Sequence, residues 1–288
     1  MSVQHSSATF QPSGVITLTT DFGHHDPFVG VMKGVILSRF ARAQIIDITH
    51  EIAPQQVEEA AFWLSRSYRY FPPGSVHLAI VDPGVGSNRR IIVHDTANHL
   101  FIAPDNGLLA PTRASEPAGR IVAVSAATQS RVALPQLSAT FHGRDIFAPL
   151  AAALAGGAIR VDDLGSCIDD MVELSLAASI GGSGEVVGRI VSIDHYGNLI
   201  TNIDRSLLAA FHQPVLRLGE RSFDFVRTYC DADAGEYRAL VNAFEVVELA
   251  RSNGSAAAGL RAGRGTAVCV YDHKSRSREL GTPAAVEG

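Results

Sequence analysis

The chain has 288 residues, of which 46% are hydrophobic and 18% are charged, so it is long and apolar enough for a globular protein with a sizeable core. Its formal net charge of −5 and the lack of a dense Lys/Arg run argue against a nucleic-acid partner. The polar first residues and the lack of an apolar run of about 18 residues predict a soluble cytoplasmic protein with no membrane partner. The cysteines are widely spaced and odd in number, which predicts free thiols at Cys167, Cys230 and Cys269.

The first elements in chain order are a strand, a loop and a helix. The β-rich run Val15 to Thr19 leads into the loop "TDFGHHDPF". Apolar side chains then recur at three- and four-residue spacing from Phe28 to Phe40, which predicts a helix. Asp26 is a suitable N-cap for this helix, and Pro27 suits its first helical position.

The next elements repeat this alternation. Gln44 to Ile48 predicts a second strand, Pro54 opens a second helical stretch, and "GSVHLAIV" at residues 74–81 predicts a third strand. The order βαβαβ predicts a mainly parallel sheet. In such a sheet, ligands bind outside the carboxyl ends of the strands.

Acidic residues lie at the ends of these predicted strands, at Asp21, Asp47 and Asp82. Asp82 opens the segment "DPGVGSNRR" and allows two interpretations: it caps its own Asp-Pro-Gly turn, or it serves a binding cleft. Successive side chains of an extended segment point to opposite sides, so only one of Arg89 and Arg90 can face inward. These residues alone do not decide which one does.

The rest of the chain predicts a helix, a glycine-rich segment and a series of short strands. "FHGRD" precedes the helical "IFAPLAAALAGG", where the ring of His142 could project into a cleft. Short strands separated by turn residues predict a small β-barrel or sandwich in the C-terminal part. The predicted boundaries are residues 14–176 for an N-terminal α/β domain, 177–184 for a linker, 185–280 for the C-terminal domain, and 1–13 and 281–288 for flexible tails.

Common cofactor motifs are absent, and we predict no metal. No GxGxxG motif follows a strand and no GxxxxGK[ST] motif occurs, so dinucleotide and Walker-type phosphate binding are unsupported. Asp21, His24, His25 and Asp26 could supply metal ligands, but adjacent histidines on a loop rarely reach one ion.

Polar residues are also concentrated in "SIDHYGNLITNI" at residues 192–203. A hairpin turn at Tyr196 to Asn198 explains part of this composition. It leaves Asp194 and Asn202 beside apolar residues, which is typical of a strand that binds a small polar ligand.

Six segments occur in a fixed order: "TTDFGHHDPFVGVMKG", "IIDITHEIAPQQVEEAA", "VDPGVGSNRR", "APDNGLL", "FHGRDIFAP" and "DHYGNLITNI". From about Val15 to Asp272, the chain resembles the S-adenosyl-L-methionine hydrolase (adenosine-forming) family. These are hydroxide adenosyltransferases related to bacterial fluorinases and chlorinases. The resemblance implies an N-terminal α/β domain, a C-terminal β-barrel, and a homotrimer in which each site lies between one subunit's first domain and a neighbour's second.

The resemblance also implies a reaction. Water or hydroxide attacks C5′ of the ribose of S-adenosylmethionine and displaces methionine, leaving adenosine. The sulfonium is activated by its own charge, so no cofactor is expected. The family's water-holding set matches Asp82, Arg89 and His142: Asp82 would accept a hydrogen bond from the water, Arg89 would orient the polar set, and His142 would orient the water or relay its proton. Arg90 is then expected to be a solvated charge.

Further residues match substrate-binding positions of the family. Asp21 matches the carboxylate that binds both ribose hydroxyls, and Asn198 matches the amide that contacts adenine. The remaining matches are Asp194 beside the methionine portion, Asp26 near its ammonium group, and Asn242 and Glu248 in the adenine-edge segment.

Two alternatives remain open. A halide-using transferase is disfavoured, because related halogenases carry Tyr at the position of Asp82 and Ser at the position of Gly143. A non-catalytic adenosine or S-adenosylmethionine sensor is kept open by the departure from the family pattern at Ala243. Ala243 stands where Ser is common, which removes a hydroxyl from the methionine side, and Glu245 stands where glycine is usual.

Overall fold

The structure is a computed structural model that describes residues 10–182 and 184–273. The chain divides into two compact units between Ser175 and Leu176. Residues 1–9 of the predicted N-terminal tail and the whole predicted C-terminal tail, residues 281–288, lie outside the described residues.

In the first unit, a sheet of seven strands forms within the described residues, in the order β2-β1-β3-β5-β4-β6-β7. Its strands are β1 Val15–Thr20, β2 Gln44–Thr49, β3 Ser75–Ile80, β4 Ile91–Asp95, β5 His99–Pro104, β6 Arg120–Val124 and β7 Gly165–Ile168. The pairings among β2, β1, β3 and β5 are parallel, and those of β4 and β6 with their neighbours are antiparallel. The predicted α/β class is confirmed, with the parallel half formed by the predicted βαβαβ strands and β5.

Helices cover both faces of this sheet. They are α1 Phe28–Arg39, α2 Val57–Ser67, α3 Ala110–Ser115, α4 Ala126–Val132 and α5 Ala148–Ala155, with a π-helical turn at Gly143–Phe147 and 3-10 turns at Tyr68–Tyr70 and Val161–Asp163. Alternate β3 residues belong to different cores, Leu78 to the one that includes α1 and α5 and Ala79 to the one that includes α2. Because both faces of the sheet are covered, β3 is buried along its whole length, including its two polar residues Ser75 and His77.

Two helix starts differ from the predictions. The second helix begins at Val57 and not at Pro54, because Gln55 has a φ of 65°, which is incompatible with a right-handed helix. The first helix begins at Phe28, with Pro27 at the cap position and no side-chain cap, so the predicted N-cap role of Asp26 is wrong. Gln55 and Asp26 belong instead to loops that follow the carboxyl ends of β2 and β1.

The second unit is an antiparallel, nearly closed barrel. Its elements are β8 Ser179–Ile180, β9 Val186–Ile193, β10 Leu199–Asp204, β11 Pro214–Leu218, β12 Arg221–Asp224, β13 Tyr237–Val241, β14 Val246–Arg251, β15 Ala267–Asp272, α6 Ala256–Leu260 and 3-10 turns at Arg205–Ala210 and Tyr229–Asp231. The described strands follow the order β12-β11-β15-β9-β10-β14-β13, with β8 beside β9. A bridge between Phe225 and Ala239 links the two end strands, which confirms the barrel prediction.

Other sequence predictions concern cysteines and membranes. Cys167, Cys230 and Cys269 are all free thiols. Across the described part of the chain, no helix combines the length and apolar character needed to span a bilayer.

Candidate functional site

Asp82 and Arg89 form a close ion pair in the loop that follows β3. Arg89 donates from Nε and from Nη2 to the same oxygen, Asp82 Oδ2, at 2.8 and 2.5 Å. Both side chains are nearly buried, with 6% of Asp82 and 11% of Arg89 exposed. The loop therefore closes over seven positions through a charge-assisted contact that is shielded from solvent.

The second carboxylate oxygen of Asp82 is in a different situation. Asp82 Oδ1 is buried and has no hydrogen-bond partner among the described residues. A buried carboxylate oxygen without a donor is costly, and such atoms in native proteins usually serve a ligand or a reaction. Oδ1 is therefore a strong acceptor available to a bound molecule.

His142 completes this group from a distant part of the sequence. Arg89 Nη2 lies 3.3 Å from His142 Nδ1. A guanidinium can only donate, so Nδ1 accepts and the neutral ring carries its proton on Nε2. Burial, together with the positive charge of Arg89, lowers the pKa of His142 below its usual 6.5, so the ring is neutral at neutral pH.

The turn before His142 also shapes the Asp82 loop. Gly86 has a φ of 80°, and a Cβ atom there would lie 2.6 Å from the carbonyl oxygen of Ala139. Glycine alone fits this close approach without strain. The guanidinium of Arg89 also lies 5.4 Å from the centre of the ring of Phe147, the last residue of the π-helical turn. This distance corresponds to a cation–π contact.

Asp21 lies at the neighbouring strand end. Strands β1 and β3 pair with Thr20 opposite Ile80, so Asp21 and Asp82 follow adjacent positions at the same edge of the sheet. Asp21 Oδ2 accepts a hydrogen bond from the backbone nitrogen of Gln55 at 2.8 Å. The backbone of Gln55, with its positive φ, therefore supplies the nitrogen that orients this carboxylate.

A buried histidine, His50, supports the loop that carries Asp21, which is a role that the sequence did not predict. His50 Nδ1 lies 2.7 Å from Thr20 Oγ1, and the His50 carbonyl accepts from the nitrogen of Gly23 at 2.8 Å. Its Nε2 lies 3.1 Å from Asp47 Oδ1. These contacts hold the loop that carries Asp21.

The other candidates on this loop remain exposed. Asp26 is 58% exposed, and its Oδ1 lies 3.6 Å from Nδ1 of His25. Among the described residues, no group of three or more His, Cys, Asp or Glu side chains is placed to hold a metal ion.

Arg90 differs from its prediction. It was expected to be a solvated charge, but its Nε donates to Asp105 Oδ2 at 2.7 Å, and its Nη1 donates to Asp170 Oδ1 at 2.7 Å. Arg89 and Arg90 do point to different partners, as alternation requires. The prediction failed because Asp105 and Asp170 are distant in sequence.

In the second unit, Asp194 and Asn198 form one hydrogen-bonded turn between β9 and β10. Asp194 Oδ1 accepts from the nitrogens of Tyr196 and Asn198 at 2.9 and 2.8 Å. Asn198 Nδ2 donates to Asp194 Oδ2 at 2.9 Å. The two predicted binding residues are therefore mutually oriented, with the carbonyl oxygen of the Asn198 amide on the side away from this bond. Asn202 instead bonds to backbone, with Nδ2 donating to the Leu176 carbonyl at 2.9 Å.

Glu248 lies in a second polar group of this unit. Its side chain accepts from Tyr229 Oη at 2.7 Å and also bonds to Asn242. Burial raises the pKa of the Glu248 carboxyl, and the bond from Tyr229 opposes that rise. Tyr229 was missed because it lies in a short 3-10 turn with no motif of its own.

The two departures in sequence lie in the turn between β13 and β14. Asn242 Oδ1 accepts from the nitrogen of Phe244 at 2.9 Å, and Glu245 has a φ of 61°, which explains why glycine is suited to that position. The Glu245 side chain pairs with Arg205 at 3.1 Å and is largely exposed.

Known proteins resemble the chain in both units. The model for the SAM (S-adenosyl-L-methionine) hydroxide adenosyltransferase N-terminal domain matches residues 16–165, and the model for the corresponding C-terminal domain matches residues 188–269. The curated (R)-S-adenosyl-L-methionine hydrolase of Salinispora arenicola is 35% identical over 244 residues, which cover 84% of this chain and 92% of that protein. The protein of the same name from Thermus thermophilus is 34% identical over 252 residues, covering 85% and 95%. A crystal structure of an uncharacterized conserved protein from Thermotoga maritima has a TM-score of 0.80 and 32% identity, covering 88% of this chain and 99% of that one.

Proposed function

Because the chain belongs to the SAM hydroxide adenosyltransferase family, we propose that it hydrolyses S-adenosyl-L-methionine to adenosine and L-methionine. The observation that most directly supports this activity is the buried Asp82 Oδ1, which has no partner in the described part of the chain, beside an Oδ2 that takes both bonds from Arg89. The carboxylate is held rigidly on one side and can accept a hydrogen bond on the other.

The reaction is an SN2 displacement at the ribose C5′. A water molecule donates a hydrogen bond to Asp82 Oδ1 and directs a lone pair at C5′. The new C–O bond forms as the C5′–S bond breaks, and its electron pair returns to sulfur, which turns the sulfonium into the neutral thioether of methionine. The proton lost by the water passes to Asp82 Oδ1 and then to solvent. In-line alignment at about 3 to 3.5 Å is the main requirement.

No cofactor is part of this proposal. The leaving group is a neutral thioether released from a cation, so its departure needs no added acid. Arg89 serves to fix Asp82 and His142, whose Nε2–H is free to donate to the water or to the newly formed hydroxyl.

The proposed substrate-binding roles are those that the resemblance to the family implies. Asp21 would accept from both ribose hydroxyls and so fix C5′. Asn198, Asn242 and Glu248 would contact the adenine, and Asp194 would lie beside the methionine portion. The exposed Asp26 would have to gain a partner on binding to assist at the ammonium group.

The assembly proposed with this function is a homotrimer. Each site would combine Asp21, Asp82, Arg89 and His142 of one subunit with the barrel residues of a neighbouring subunit. This arrangement would explain why each unit carries only some of the polar residues that are expected to bind the substrate.

The test uses purified protein with S-adenosylmethionine in ¹⁸O-labelled water. We expect adenosine with the label at O5′ and equimolar methionine, and no 5′-chloroadenosine when chloride is added. Asp82→Asn should lower kcat by about 10² to 10⁴, since an aligned acceptor for the water is lost. Asp162→Asn is the matched control, because that carboxylate is half-exposed and pairs with Arg120.

No adenosine above a protein-free blank would refute the hydrolase proposal. Tight binding of S-adenosylmethionine without turnover would instead favour the sensor.

A further inference from the structure

The loop at residues 82–90 carries both Asp82 and Arg89, and one turn holds both of its ends. That turn, residues 104–107 with the sequence "PDNG", follows β5. It bonds to the residue before Asp82 and to the residue after Arg89. This coincidence suggests that the turn does more than reverse the chain.

The first end is held by Asn106. Its Nδ2 donates to the carbonyl of Val81 at 2.8 Å, directly before Asp82. Its own Oδ1 accepts from the nitrogen of Leu108 at 3.3 Å, which fixes the orientation of the amide. Asn106 therefore fixes the peptide from which the Asp82 side chain projects.

The other end is held by Asp105. Arg90 Nε donates to Asp105 Oδ2, the nitrogen of Asp105 donates to the Arg90 carbonyl at 3.0 Å, and the Asp105 side chain is only 3% exposed. The Arg90 guanidinium continues to Asp170, donating to its side chain and to its carbonyl, both at 2.7 Å. Asp105 Oδ1 in turn accepts from the nitrogen of Val172 at 2.8 Å.

Between these ends, the loop at residues 82–90 consists of tight turns and is not part of a helix or strand. Its internal bonds are those of tight turns, such as the nitrogen of Val85 to the Asp82 carbonyl at 3.2 Å and the nitrogen of Ser87 to the Gly84 carbonyl at 3.1 Å. Glycines 84 and 86 add backbone freedom. The separation of Asp82 and Arg89 therefore depends on the anchoring of the two ends as well as on the contacts of Gly86 and Arg89 with the segment around His142.

We propose that Asn106, Asp105 and Arg90 are positioning residues for the hydrolysis: the turn at residues 104–107 sets the register of Arg89 on Asp82 and so the direction of Asp82 Oδ1. This inference rests on the proposed function. A misplacement of about 1 Å at a reacting group can cost about 10² in rate, so loss of either anchor should affect kcat more than KM.

The experiment compares Arg90→Gln and Asn106→Asp with Arg120→Gln. Asn106→Asp is isosteric, keeps the acceptor for Leu108 and loses the donor to Val81. Arg120 is a matched control because it also bridges two aspartates, Asp95 and Asp162, at the opposite end of β4. Two readouts are combined: steady-state kinetics, and hydrogen–deuterium exchange of peptides that cover residues 82–90.

For Arg90→Gln and Asn106→Asp, we expect kcat to fall by about 10- to 100-fold with KM within about twofold, together with faster exchange in the loop. Arg120→Gln should lower the Tm about as much as Arg90→Gln but leave kcat and loop exchange unchanged. Unchanged loop exchange in both anchor variants would overturn the inference, and so would faster exchange with wild-type kcat or an equal loss of kcat in Arg120→Gln.

A wild-type chain without turnover would refute the proposed hydrolysis and, with it, the positioning role. The exchange data would then still decide separately whether the turn fixes the Asp82 loop.

Discussion

Asp82 uses its two carboxylate oxygens differently. Oδ2 takes both bonds from Arg89, while Oδ1 is buried and no described residue bonds to it. A single arginine thereby fixes the carboxylate and leaves its second oxygen to a ligand. The same guanidinium bonds to His142, so one side chain orients both groups that would handle the water.

The state of His142 should set the acidic limit of activity. Protonation would remove the acceptor for Arg89 and place two positive charges side by side. Because burial and Arg89 lower the pKa of His142 below 6.5, we expect kcat/KM to be constant near neutral pH and to fall at a pH below 6.5.

The measurement is a profile of kcat/KM from about pH 4.5 to 8, with His142→Asn and His142→Ala. Asn can place an acceptor near the Nδ1 position without titrating, so its profile should lose this acidic limb and keep more activity than Ala. An unaltered limb in His142→Asn would assign the titration to another group.

The π-helical turn Gly143–Phe147 begins directly after His142, and its first residue is closely packed against neighbouring side chains. A Cβ at Gly143 would lie 3.3 Å from Phe141 and 3.4 Å from the sulfur of Met32. We therefore expect Gly143→Ala to reduce the free energy of unfolding by about 1 to 3 kcal/mol through overpacking.

Urea denaturation checks this prediction, with Gly34→Ala as the control. Apart from its own helix, no described residue has an atom within 4 Å of a Cβ at Gly34, so the alanine at this exposed position of α1 should stabilise the protein by about 0.5 to 1 kcal/mol. A stabilised Gly143→Ala variant would show that the turn has room to adjust.

Three buried histidines on adjacent strands should make the first unit sensitive to acid. Burial lowers the pKa of His77 to about 3, with His99 adding to the shift, and lowers the pKa of His94 to about 4, with Arg113 adding to it. His99 bonds to His77 at 3.1 Å, and burial lowers its pKa too.

As the pH falls, these histidines take up protons near pH 6.5 in the unfolded chain but only at a lower pH in the folded one. Their contribution to stability is therefore complete above about pH 6.5 and is lost progressively as the pH falls towards 4 and below. Thermal unfolding followed from pH 7.5 to 4.5 should show a decreasing Tm, with a smaller decrease in His94→Phe. An equal decrease in that variant would remove His94 from the explanation.

The proposed site residues are divided between the two units of the chain, and a site shared between subunits would bring them together. If each site uses the first unit of one subunit and the barrel of another, two defective variants should complement each other. Asp82→Asn and Asn198→Ala, co-expressed in equal amounts with different tags, would form some sites from intact halves.

Random mixing should restore about a quarter of the wild-type kcat/KM, because each half of a site is intact in about half of the cases. Each variant purified alone after the same treatment is the control. Activity no higher than the mean of the two variants would contradict sites shared between subunits, and light scattering would report the number of subunits independently.

The sequence by itself determined much of the architecture. The alternation of helix- and strand-type periodicity up to residue 81 indicated parallel strands, and the acids after them indicated the edge where Asp21 and Asp82 lie. The short strands after the glycine-rich segment indicated a β-rich second unit. These features are local, because periodicity and turn chemistry depend on neighbours a few residues apart.

Only the tertiary structure decided which polar groups meet. It paired Arg89 with Asp82, directed Arg90 to Asp105 and Asp170, and brought Tyr229 to Glu248. Each of the last two links joins segments that no local pattern connects, since strand register and loop packing set the distance between them. The sequence supplied the charged side chains, and the fold decided their partners, burying Asp82 and Asp105 against their arginines so that these carboxylates are paired away from water.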